Sequence, residues 1–166
     1  MSTLRLETFT GNTAKPYIPE LAKLRMSIFR DFPYLYEGDA NYEAKYLSTY
    51  LASPDSFFAI VFDGKKVVGV TTAIPLAQET EEFKKPFLAH GYDLAEIFYF
   101  GESLLHSQYR GQGLGVKFFE VREQQAKKYG AKLATFCAVE RPNDHPLKPA
   151  LYTPLHEFWR KRGYER

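Results

Sequence analysis

Cysteine is nearly absent from this 166-residue chain, and the single thiol, Cys137, excludes an internal disulfide framework. No apolar run approaches the length that crosses a bilayer, so no membrane partner is expected. The N-terminus lacks the apolar core of a signal peptide, which makes the cytoplasm the default location. Metal ligands are also sparse. His145 and Asp144 are neighbours with no third ligand at a useful spacing, so no metal site is expected. A catalytic role for Cys137 would need a histidine and an electropositive setting, and a packed, inert thiol is the expectation. Net charge is only +2.

The charge is unevenly placed. Residues 1–109 hold ten basic and fourteen acidic side chains, whereas residues 110–166 hold twelve basic and six acidic. This asymmetry suits a polyanionic ligand without pointing to nucleic acid. The length and apolar content fit one globular domain, residues 1–166.

Leu4, Leu6 and Phe9 alternate with polar residues as a strand that ends at Gly11-Asn12. Leu21, Leu24 and Ile28 then fall at helical spacing, with Pro19 and Glu20 suited to a first turn. The stretch from Arg30 to Tyr36 is a loop because Pro33 and its bulky neighbours cannot stay helical. Its aromatics suit either core packing or the wall of a substrate site. Asp39 or Asn41 caps a second helix with Tyr46, Leu47, Tyr50 and Leu51 on its buried face. Phe57–Phe62 and Val67–Ile74 form a hairpin around Asp63-Gly64. Residues 76–93 read as a short helix and an exposed loop, either a plain surface excursion or a lid.

An apolar strand including Phe98, Tyr99, Phe100, Leu104 and Leu105 leads into Arg110-Gly111-Gln112-Gly113-Leu114-Gly115, followed by a helix over Val116–Tyr129. Three glycines in five positions let successive amides converge on one anion. A helix start adds free N–H donors and the positive dipole end, and Arg110 adds a forked cation. Leu133–Val139 reads as a strand parallel to the one before the loop, joined to it by a right-handed crossover. Residues 140–154 are irregular, and Leu155, Phe158 and Trp159 mark a last helix ending at Gly163. A ligand-free turn is one alternative for the loop. A dinucleotide fingerprint with Glu140 as the ribose acid is another, opposed by Val116 at the third glycine position.

Arg-x-x-Gly-x-Gly between strand and helix resembles motif A of the N-acetyltransferases of the GNAT superfamily. The resemblance implies a mixed α/β fold in the order strand, helix, helix, three strands, helix, strand, helix. It also implies acetyl-CoA as cosubstrate, no metal, and a small-molecule or peptide amine as acceptor. By that resemblance the cofactor is held at Ser103, Leu104, Leu105, Arg110, Gly111, Gln112, Gly113, Leu114, Gly115 and Val116. Glu102 is the candidate base, with an ion-paired glutamate as the rival reading and Tyr99 and His106 as weaker candidates. The family's usual acid tyrosine, four residues before the last glycine, is replaced by Trp159, a poor proton source. Tyr152 or water then serves as acid, or the protein is a noncatalytic acyl-CoA-binding or regulatory module. A dinucleotide oxidoreductase stands third. The family also continues into two further strands, whereas this chain stops at Arg166. A C-terminally shortened domain is therefore expected, with an open edge at Leu133–Val139 that pairs in a homodimer or lowers stability.

Overall fold

A computed structural model describes residues 3–166. Its centre is one five-stranded sheet in the order β1-β2-β3-β4-β5: β1 (Leu4–Thr10), β2 (Phe57–Asp63), β3 (Lys66–Pro75), β4 (Ile97–Leu105) and β5 (Leu133–Thr135). The first three pairings are antiparallel and β4–β5 is parallel. Helices α1 (Ile18–Phe29) and α2 (Ala40–Ala52) cover one face. Helices α4 (Leu114–Tyr129) and α5 (His156–Lys161) cover the other. The predicted mixed α/β order is observed, and the short helix expected within residues 76–93 is α3 (Glu81–Ala89).

Local chemistry sets the boundaries. The Asp39 carboxylate accepts from Tyr42 N at 2.9 Å and starts α2. Gly130 takes the left-handed conformation (φ 93°) that ends α4, its amide donating to the Ala126 and Lys127 carbonyls. Phe98 and Phe100 of β4 are fully buried beneath α4, and Phe118 of that helix is buried against Val61 of β2 and Val68 of β3. At about 1.5–3 kcal/mol each, they fix that helix on the sheet.

Three sequence expectations are corrected. β5 is three residues long and does not reach Val139, because after Thr135 the chain leaves β4 and Phe136 packs on Phe119, Trp159 and Tyr164. Cys137 is exposed, since the strand that would have packed it has already ended. Residues 76–93 are not a plain surface excursion: Leu76 and Glu79 are buried, and Phe83 of α3 meets Tyr99 at 5.1 Å. Charged neighbours hid an apolar pair, Phe83 and Phe87, at helical spacing. Among the described residues no strand follows β5, so β5 forms one edge of the sheet.

Candidate active site

β4 is the organising element, because its two edges differ. One edge pairs with β3 along its length, whereas the other meets β5 only at Ile97, Phe98 and Tyr99. From Phe100 to Leu105 the strands have parted, leaving the far-edge backbone groups without a strand partner. Ser103, Leu104 and Leu105 lie on this free stretch. Thr71 supports it from β3, its hydroxyl lying 2.8 Å from both the Glu102 carbonyl and Ser103 Oγ.

A bulge turns the strand at this point. Thr72 faces Glu102 while the next residue, Ala73, faces Phe100, so Gly101 is the extra residue. A side chain at 101 would collide with the Tyr50 hydroxyl and with Thr72 Oγ1. The bulge turns Glu102 toward α1 and α2, where its Oε2 accepts from Arg25 Nη1, while Arg25 Nε donates to Glu43 Oε2. Both ion pairs are buried, with 8 % of the Arg25 side chain exposed and 7 % of that of Glu102.

The glycine loop lies beyond β4. Gly111 and Gly113 have φ of 76° and 81°, which only glycine adopts without strain. A Cβ at either would meet nothing within 4 Å, so the surface above both is open. Gly115 serves differently: its missing side chain admits the Phe158 ring, 3.2 Å from where a Cβ would sit. α4 starts without a side-chain cap, and its first intrahelical acceptor is Gly113 O, bonded by Lys117 N at 3.1 Å. The amides of Leu114, Gly115 and Val116 are therefore free for a ligand. Arg110 is exposed, with Nε on Leu105 O at 3.1 Å, and Gln112 is also exposed. Burial and the cations Lys66 and Arg110 hold His106 below the usual imidazole range, a sign of positive potential beside the loop.

Tyr152 lies in the irregular segment before α5, edge-on to Phe32 at 4.8 Å. Arg141 ties the same aromatic loop down, donating to the Pro33 and Tyr34 carbonyls at 2.8 Å each. Tyr34 has its phenol pushed up by burial and by Tyr152 and drawn down by Arg110, so the three share one neighbourhood. Trp159 packs on Phe136 and His156. Among the described residues no group of histidine, cysteine or acidic side chains is set to hold a metal.

Sequence reasoning missed Arg25, Glu43 and Lys66 and misplaced Glu79, which is buried with Oε2 accepting from Tyr50 at 2.8 Å. A signal for two of them existed. Arg25 continues the apolar stripe of Leu21 and Ile28, and Glu43 sits one turn before Leu47 on the same face.

The sequence profile of the acetyltransferase (GNAT) family matches residues 19–164. No curated protein matches the sequence. Among solved structures, an aminoglycoside acetyltransferase from an uncultured soil metagenomic sample, in complex with sisomicin, superposes with a TM-score of 0.60 at 18 % identity. That match covers 98 % of this chain and 90 % of the other. The aminoglycoside acetyltransferase AAC(6')-Iy, in complex with a bisubstrate analog joining CoA to acetylneamine, gives 0.60 at 9 %, covering 99 % and 92 %. A GNAT family acetyltransferase from Staphylococcus aureus gives 0.54 at 19 %, covering 93 % and 98 %. At these identities the solved structures establish a shared fold.

Proposed function

Since the chain belongs to the acetyltransferase (GNAT) family, we propose that it moves an acetyl group from acetyl-CoA to a primary amine by direct attack. The observation that carries this reading is the meeting of two features at the end of β4. One is the edge freed where β5 departs, and the other is the glycine loop that opens α4. A thioester cosubstrate bearing a pyrophosphate needs both: main-chain groups along its amide-rich arm and converging amides at its anion. The CoA portion of the analog bound by AAC(6')-Iy supports the same choice.

In this reading Arg110 and the amides of Gly111, Gln112, Gly113, Leu114, Gly115 and Val116 hold the pyrophosphate. Ser103, Leu104 and Leu105 offer backbone partners to the arm. Glu102 takes the proton from the attacking amine, directly or through water. Its ion pair with Arg25 fixes one carboxylate oxygen, and so joins the rival ion-pair reading to the catalytic one. Tyr152 is the proposed acid for the departing thiolate, since Trp159 is engaged in packing. The acceptor is a small-molecule or peptide amine. The setting is the cytoplasm, and a homodimer forms through the exposed edge of β5, where Leu133 is 49 % exposed. Sedimentation at high protein concentration tests the dimer, and a monomer contradicts it.

Thiol release from acetyl-CoA across an amine panel tests the function. Release that depends on an amine and falls at least tenfold in Glu102→Gln is expected. Tight CoA binding without release for any amine would contradict turnover.

A further inference from the structure

An arginine on the apolar stripe of a helix is costly to bury unless opposite charge meets it. Arg25 is 7 % exposed and is met twice, by Glu43 from α2 and by Glu102 from β4. Its guanidinium also lies over the Phe29 and Tyr46 rings, at 4.9 and 4.5 Å from their centroids. One cation shared by two carboxylates leaves a surplus negative charge. That surplus is not dispersed: Glu43 is fully buried, and its Oε1 has no hydrogen-bond partner. Buried polar atoms almost always have one. Among the described residues no second basic side chain pairs with either carboxylate.

The surrounding segment has the same sign. Residues 31–44 contain Asp31, Glu37, Asp39 and Glu43 and no lysine or arginine. Tyr36 and Tyr42 are exposed there with ring centroids 6.4 Å apart. Carboxylates beside open aromatic faces attract cations.

We propose that Arg25 is a positioning residue for Glu102, and that Glu43, through the surplus charge of Glu43–Arg25–Glu102, sets how tightly the ammonium form of the acceptor is held. The proposal rests on the reading that Glu102 faces the thioester. Arg25 engages one oxygen of Glu102, leaving Oε1 to receive an N–H of the amine. The ammonium then loses two protons as its nitrogen bonds to the carbonyl carbon and the C–S bond breaks. One passes through Glu102 or water to solvent, and the other ends on the CoA thiol.

Butylammonium is the probe and 1-butanol its neutral isostere, each titrated into the full chain saturated with CoA. Glutamate 13Cδ resonances report the response, with Glu102 assigned from Glu102→Gln. CoA affinity, measured separately by calorimetry, should stay within twofold in Glu43→Gln and Arg25→Lys. Butylammonium should shift the Glu102 resonance and 1-butanol should not. Glu43→Gln, close in shape and safe for folding, should weaken butylammonium at least threefold. Arg25→Lys keeps the charge but loses the fork, so it should displace the ligand-free Glu102 resonance. An equal response to butanol, an unchanged affinity in Glu43→Gln, or an unmoved Glu102 resonance in Arg25→Lys would overturn the proposal. Wild-type protein that does not bind CoA would overturn the underlying cofactor reading instead.

Discussion

The two flanks of β4 are built by opposite means. On the proposed cofactor flank the groups come from two stretches close in the chain, Ser103–Leu105 and Arg110–Val116. They are mostly main-chain, and the glycines leave them in the open. On the proposed acceptor flank they come from α1, α2, β4 and the segment before α3, and they are buried side chains held in two sets: Arg25 with Glu43 and Glu102, and Tyr50 with Glu79. A phosphate cradle can be made by a short loop because every residue supplies an amide. A proton-handling site needs particular side chains at fixed distances, which only tertiary packing supplies.

The comparison predicts that one flank fails by unfolding and the other by losing its ligand. Arg25→Ala leaves two carboxylates buried together without their cation, and should cost about 3–5 kcal/mol in urea unfolding. A loss under about 1 kcal/mol would mean the pair is not buried in solution. Gly113→Glu should leave the fold largely intact, since the space above it is open. It should weaken CoA at least a hundredfold, about 2.7 kcal/mol, by placing a carboxylate in the cradle. Unchanged calorimetric affinity would remove the cofactor assignment.

Alkali should also act mainly on the acceptor flank. Burial pushes the Tyr46 phenol up to about 12 and raises Tyr50 and Tyr99 in the same direction. Their folded values lie above the unfolded one, so the stability they contribute is complete below about pH 10 and is lost as pH climbs beyond it. For Tyr46 the loss by pH 12 is about 2.3 kcal/mol. Arg122, which burial lowers to about 9, opposes this, because the unfolded chain binds the extra proton above that pH. The urea midpoint should fall between pH 10 and 11, and Tyr46→Phe should flatten the slope. A midpoint that rises over that interval would contradict this burial.

A further effect belongs to an exposed group. Arg110→Ala should weaken CoA by about 1.5–3 kcal/mol, the scale of a charge-assisted hydrogen bond, and should alter turnover at saturation less. A steep fall in kcat with KM for acetyl-CoA unchanged would place Arg110 in the chemical step.

The same contrast explains what the sequence made legible. The loop could be read because glycine spacing and a following helix are local signals, and Gly111 and Gly113 do take left-handed conformations. Gly115 gave the same signal for a different reason, room for Phe158, which no local pattern distinguishes. Glu102 was singled out from its strand, but its partner Arg25 lies 77 positions away and is itself shared with Glu43. Only a charge in register with an apolar stripe hinted at them. β5 was over-read because Phe136 and Val139 continue an apolar run, yet Phe136 turns toward Trp159 and Tyr164 instead of β4. Glu79 was lost among charged neighbours, although its carboxylate meets Tyr50 in the interior.

Backbone amide mapping on CoA addition tests the central claim most directly, that the loop and the freed edge of β4 form one cofactor site. A 15N-labelled protein titrated with CoA should show its largest shifts at Gly111–Val116 and at Ser103, Leu104 and Leu105, with little change along α2. Saturable CoA binding that leaves those amides unmoved and shifts residues elsewhere would contradict it.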